Sequence, residues 1–174
     1  MATKTKNVYL RGNSRHYVAL ARASAQSRIK RHIAAEVQRD PQRVTTYPTR
    51  KRTTDAGYDV STPDAFTLKP GATHRQPLGL KLNCPPGYFY KIAARSGLSA
   101  LGIDVVENTI DSTYTGELEV LLINHSTKTH KFEVGHRIAQ LLFFPQLHVS
   151  FVPVAAFTLP EGGRGAQGWA SSGS

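Results

Sequence analysis

Residues 116–124 read Gly-Glu-Leu-Glu-Val-Leu-Leu-Ile-Asn. Glu117 and Glu119, with Asn124 as a further polar member, are read as alternating with Leu118, Val120 and Leu122, the period-two pattern of a strand with one face buried. Similar short segments, rich in β-branched and aromatic residues, lie on both sides: 66–68, 78–82, 88–92, 137–144 and 148–154. Pro70-Gly71 and Pro85-Pro86-Gly87 supply turns between several of them. Many short strands with no helical interruption after residue 56 predict an all-β barrel or sandwich. The segment 138–144 is apolar apart from Gln140, so it is expected inside the fold or against another subunit. A lone amide there needs partners, from core backbone or from a ligand.

Outward from this body the chain changes character. Residues 1–50 hold eleven Lys and Arg against Glu36 and Asp40, a balance of +9 out of a formal +10, so a basic head precedes a nearly neutral body. Within the head, Ala25, Ile29, Ile33 and Val37 recur every four residues among basic side chains, which predicts an amphipathic helix over 24–38 that Asp40-Pro41 ends. At 174 residues the chain suits one domain with a proper core. No apolar run approaches the length of a membrane span, and no secretory signal is visible. Cys84, the single cysteine, cannot form an internal disulfide, and a reducing compartment is the default expectation.

Four places could carry chemistry. Asp55-Ala-Gly-Tyr-Asp59 sets two carboxylates around a glycine, on one face if extended, or as an Asx-turn at a strand entry. Arg95-Ser96-Gly97 offers a guanidinium, a hydroxyl and backbone amides to an anion, or simply ends the preceding strand. The polar loop 110–116 carries Asp111 and Tyr114, a loop carboxylate able to act as a general base for water and a ring able to close a sugar pocket; capping a turn and packing on the rim are the plainer roles. Finally, residues 161–174 are almost all Gly, Ala and Ser, yet carry Arg164 and the only tryptophan, Trp169. Such an arm either stays disordered or orders over a ligand with phosphates for its amides and arginine and a flat ring for its indole. No His and Cys spacing suits zinc, and no GxxxxGK[ST] loop is present.

Together these segments resemble the five sequence motifs of the trimeric dUTP pyrophosphatase (dUTPase) family, in order and near the usual spacings. Residues 55–61 (DAGYDVS) are similar to the first, 94–98 (ARSGL) to the second, 108–116 (NTIDSTYTG) to the third, 135–141 (GHRIAQL) to the fourth and 164–173 (RGAQGWASSG) to the fifth. The resemblance implies a distorted β-barrel of jelly-roll type assembled as a homotrimer, with 1–42 as a basic extension, 43–160 as the barrel and 161–174 as a flexible arm over the active site. It implies hydrolysis of dUTP to dUMP and pyrophosphate with Mg2+. Asp111 would orient and deprotonate the attacking water, and Tyr114 would exclude a ribose 2′-hydroxyl. Asp59 would help to hold the metal arrangement through water. Ser96, Gly97 and Gln140 would meet the phosphates with Arg95 bracing them, while Asn108 and Ile110 belong to the uracil hairpin. Arg164, Gly168 and Trp169 would clamp the terminal phosphates and cover the base.

The chain also departs from the family pattern. Asn108 and Thr109 stand where Gly-Val is usual, so a side chain at 108 is expected to crowd the uracil hairpin. His136 replaces the Asp before Arg137, which would weaken a supporting salt bridge. Gln167 and Ala170 replace glycines, and Trp169 replaces Phe. Two other readings share the fold: a bifunctional dCTP deaminase and hydrolase, and a non-catalytic interaction module. For the head, contact with nucleic acid, contact with a protein, mitochondrial targeting and a solvated extension all stay open. A nuclear or cytoplasmic setting is preferred, because dUTP is controlled where DNA is made.

Overall fold

The computed structural model describes residues 33–156. Among the described residues there are ten strands, all paired antiparallel, and one helical turn: β1 (Glu36–Arg39), β2 (Tyr58–Ser61), β3 (Phe66–Leu68), β4 (Thr73–Asn83), β5 (Tyr88–Ala93), α1 (Ser96–Ser99), β6 (Ile103–Val105), β7 (Asn108–Asp111), β8 (Glu117–Asn124), β9 (His130–Phe132) and β10 (Arg137–Pro145). They form two four-stranded sheets, ordered β1-β4-β8-β6 and β2-β10-β5-β7, and a ribbon of β3 with β9. The all-β expectation holds, with α1 as the one helical turn between residue 56 and the end of the described residues.

The core lies between the sheets. Along β8, Leu118, Val120, Leu122 and Asn124 are buried while the residues between them are half exposed, so the alternation in the sequence is the alternation in space. Asn124 sits with the leucines rather than with Glu117 and Glu119, because position 124 shares their parity. Its amide is satisfied there: Nδ2 donates to the carbonyls of Leu68 and Lys128 at 3.1 and 2.7 Å, and Oδ1 accepts from Ser126 N and Oγ at 2.9 and 2.7 Å. Burial without these bonds would carry a desolvation penalty of about 1–3 kcal/mol. β10 is central in its sheet, between β2 and β5, and Ile138, Ala139 and Leu141 are fully enclosed. A central strand buried on both faces reads as a continuous apolar run, as residues 138–144 do.

Two expectations fail. The last part of the predicted helix, 33–38, is not helical: Glu36–Arg39 joins the sheet edge with Val37 opposite Leu82. Burial alternates along it, with Ala35 and Val37 packed on the core and Glu36 and Gln38 exposed. Val37 fits a period of two as well as a period of four, and the open edge of β4 selects the former. The sheet therefore begins upstream of residue 43, while the remainder of the predicted helix, 24–32, lies outside the described residues. Residues 148–154, expected as a strand, have no regular structure, and Phe151 is 93% exposed. A strand exists only by pairing, and the described part of the chain offers this segment no partner.

Candidate active site

β2 delivers Asp59, whose backbone is tied to Thr49: the Asp59 N–H donates to the Thr49 carbonyl at 2.6 Å, and the Thr49 N–H to the Asp59 carbonyl at 3.1 Å. Its carboxylate is only 18% exposed. Oδ1 accepts from Arg95 Nε at 2.7 Å, and Oδ2 from Arg137 Nη1 at 3.0 Å and Arg95 Nη2 at 3.4 Å. Arg95 Nη1 also donates to the Arg137 carbonyl at 3.2 Å. Two guanidinium groups therefore share one carboxylate, leaving a net positive cluster suited to an anion. Asp55 does not share this face: its Oδ2 accepts the Arg52 N–H at 2.9 Å, the turn-forming role.

Gln140 stands beside this cluster, opposite Asp59 on one side of the sheet ladder and Ala93 on the other. Its Nε2 donates to the Ala94 carbonyl at 2.7 Å. The side chain lies on Gly57, where an added Cβ would fall 2.8 Å from Gln140 Cδ. Ser96 and Gly97 are exposed in α1, whose leading amides have no partner within the helix. His136 sits in the turn before β10, and its Nδ1 accepts the Glu133 N–H at 3.1 Å. The imidazole thus caps the turn that presents Arg137, rather than entering a salt bridge.

Asp111 and Tyr114 lie elsewhere. Asp111 ends β7 opposite Phe89, whereas the Asp59 row crosses β5 at Ala93, four residues away, or about 13 Å along a strand. Asp111 is exposed and accepts the Tyr114 N–H on its carbonyl at 3.1 Å, closing the turn. The Tyr114 ring folds over Gly116, and its hydroxyl donates to the Glu117 carbonyl at 2.9 Å. Together with Asn108, Ile110 and Glu119 these residues line a cleft of about 250 Å³. Asn108 is exposed at its wall, and Ile110, opposite Tyr90, packs on the core from the same strand. Beneath lies Tyr90, fully buried; burial first, then the neighbouring Cys84 and Tyr114, raise its hydroxyl well above the ordinary phenol range.

The described chain therefore brings Asp59, Arg95, Ser96, Gly97 and Gln140 into one neighbourhood and Asn108, Ile110, Asp111 and Tyr114 into another. Arg164, Gly168 and Trp169 lie outside the described residues. Sequence reasoning missed Arg137, Gly57, Gly116 and Glu117 as parts of the site. For Arg137 the available signal was a lone cation at the mouth of an apolar strand. Among the described residues no three His, Cys, Asp or Glu side chains form a metal cage. One carboxylate beside an anion site does fit a hard, oxygen-seeking ion such as Mg2+, which keeps most of its water and binds chiefly to substrate phosphates.

Fold and site define a class: an all-β chain with a water-accessible carboxylate and an aromatic ring on one cleft, and two arginines gathered on a carboxylate at a second position. The dUTPase family model matches residues 43–173. The deoxyuridine 5′-triphosphate nucleotidohydrolase of Leifsonia xyli is 40% identical over 123 residues, covering 68% of this chain and 80% of that protein. Among solved structures, a glycine-to-serine mutant of the Staphylococcus bacteriophage 80alpha dUTPase with dUpNHpp has a TM-score of 0.70 at 24% identity, covering 81% of this chain and 99% of its own. A dUTPase mutant from phage phi11 of S. aureus, described with a coordinated structural Mg(II) ion, has a TM-score of 0.66 at 21% identity, covering 71% and 98%. At these identities the structures speak for the fold. The family model and the bacterial relative go further: this chain belongs to the dUTPase family.

Proposed function

We propose that the chain hydrolyses dUTP to dUMP and pyrophosphate, which limits uracil entry into DNA and supplies dUMP for dTMP synthesis. The observation that carries this is the placement of Asp111 and Tyr114 on one cleft, an exposed carboxylate beside a ring clamped over Gly116. Asp111 holds a water in line with the α-phosphorus and takes its proton as the new P–O bond forms and the bond to the bridging oxygen breaks. Tyr114 fills the space under the sugar that a 2′-hydroxyl would need. Ser96, Gly97 and Gln140 meet the phosphate chain, and Arg95 and Arg137 fix Asp59 beside it. Asp59 would hold Mg2+ beside the phosphates, and the ion would supply neutralisation of the charge on the leaving group.

The two groups lie about 13 Å apart along β5. The reading that follows is a homotrimer in which each site joins the Asp59 group of one chain to the Asp111 cleft of another, with Arg164 and Trp169 closing over it. For the part of residues 1–42 upstream of β1, the excess of Lys and Arg supports contact with nucleic acid, or with a protein, in the nucleus or cytoplasm. A reporter carrying this segment tests the setting, and import into mitochondria would overturn it.

The deciding experiment assays purified protein with dUTP and Mg2+, beside Asp111→Asn. Release of dUMP and pyrophosphate by the wild type is expected, with turnover falling on the order of 10²–10⁴-fold in the variant while substrate binding persists. Equal rates would remove Asp111 from the role of base.

A further inference from the structure

Glu117 is the first residue of β8, and the sheet is discontinuous beside it. The β4–β8 ladder pairs Pro77 with Glu119 and resumes at Lys81 with Glu117, so residues 78–80 of β4 bulge out around Gly79, which has a φ of 65°. At such a bulge the regular hydrogen bonds lapse. The Glu117 carboxylate spans the gap: Oε1 accepts the Gly79 N–H at 2.7 Å and Arg43 Nη1 at 2.9 Å. Arg43 in turn pairs with Asp64, which also accepts Gln76 Nε2 at 3.2 Å. The bulge beside the start of β8 is therefore braced by a side chain as well as by the ladder, through charge-assisted bonds stronger than neutral ones.

The other side of the same residue faces the Asp111 cleft. Tyr114 takes its position from two backbone features, the bare Cα of Gly116 under the ring and the Glu117 carbonyl that accepts its hydroxyl. Glu117 lines this cleft and also a cavity of about 360 Å³ on the β1 side, bounded by Arg39, Asp40 and Lys81. Any shift of Glu117 moves the acceptor that holds the ring.

We propose that Glu117 is a positioning residue for sugar selection: its carboxylate, braced by Arg43 and the Gly79 amide, fixes the carbonyl that sets the Tyr114 ring, and so sets the preference for deoxyribose over ribose. This rests on the dUTP-hydrolysing reading of the cleft. Its Oε1 is bound to the Gly79 amide and to Arg43, so Glu117 governs fit rather than the chemical step.

The test compares kcat and KM for dUTP and UTP in the wild type, Glu117→Ala, Glu117→Gln, Arg43→Met, Tyr114→Phe and the Glu117→Ala/Tyr114→Phe pair, with thermal melting of each. Glu117→Ala should lower the dUTP-to-UTP ratio of kcat/KM by about tenfold, mainly through a lower KM for UTP. Glu117→Gln keeps an acceptor for the Gly79 N–H and should recover most of the ratio. Arg43→Met should fall between the two. In the Tyr114→Phe background the Glu117→Ala change should add little, because the link it disturbs is already cut. A wild-type ratio in Glu117→Ala, or an equal loss in both backgrounds, overturns the proposal. If Glu117→Ala fails to fold, Glu117→Gln and Arg43→Met carry the comparison, and wild-type ratios in both overturn it as well. A wild type that does not turn over dUTP refutes the functional reading itself, a result distinct from active variants with unchanged selectivity.

Discussion

A methyl group at Gly116 would stand 2.6 Å from Tyr114 Cζ, so the ring and an alanine cannot occupy their places together. Gly116→Ala should therefore reduce kcat/KM for dUTP by about 10–100-fold while the fold persists, since a displaced contact group of this kind disrupts geometry more than stability. Steady-state kinetics beside a melting curve checks both halves. Asp111 and Tyr114 were legible because a carboxylate and a ring in a polar loop announce chemistry, whereas Gly57 and Gly116 matter through what packs against them, which becomes visible only in three dimensions. Tyr90 gives a residue-scale prediction of the opposite sense. Its hydroxyl is a buried polar atom with no hydrogen-bond partner among the described residues, so Tyr90→Phe should leave stability unchanged or raise it by about 1 kcal/mol. The buried Cys84 thiol and Tyr90 phenol are both held above their ordinary values of 9.0 and 10.0. The folded chain keeps protons there that the unfolded chain releases, so this contribution to stability is complete below pH 9.0 and fades above it. Denaturant titrations across pH 8–11 should show the decline shallower in a Cys84→Ala/Tyr90→Phe variant.

Among the elements, β1 teaches most. Its apolar spacing suits a helix, and on sequence alone the four-residue recurrence through Ile33 and Val37 outweighs the shorter alternation of Ala35 and Val37. The edge of β4 reverses that choice, because an unpaired row of backbone groups offers hydrogen bonds that a free helix end cannot match. The consequence is an asymmetry between neighbours. Val37 packs on the core while Gln38 faces out, so Val37→Asp should cost about 2 kcal/mol and Gln38→Asp less than about 0.5 kcal/mol. Urea denaturation of the two variants checks this, and equal effects would mean that β1 is not held against the sheet in solution. The strands β8 and β10 were legible for the converse reason: their burial patterns belong to them wherever they pair, one alternating and one continuous.

At the scale of the molecule, what the sequence hides is whatever a second chain supplies. Residues 148–154 have the composition of a strand, yet Val149, Phe151, Val152 and Val154 are 66, 93, 75 and 58% exposed. Neighbouring Leu147, 80% exposed, extends the strip. Contiguous apolar surface of this sort is uncommon on a monomer and marks an interaction site. The separation of the Asp59 group from the Asp111 cleft points the same way, since both the apolar strip and the divided site are resolved by one act, packing against another copy. In the proposed homotrimer the strip is buried, and each large apolar side chain removed from water contributes about 1.5–3 kcal/mol. Val149→Asp/Phe151→Asp should then shift the mass measured by light scattering from three chains of 19.1 kDa toward one, with loss of dUTP turnover in proportion. Mixing this variant with an assembled Asp111→Asn protein should restore no activity, because a chain unable to dock cannot lend its carboxylate to a neighbour. A variant that stays trimeric would instead place the interface elsewhere on the barrel and leave the strip without this role.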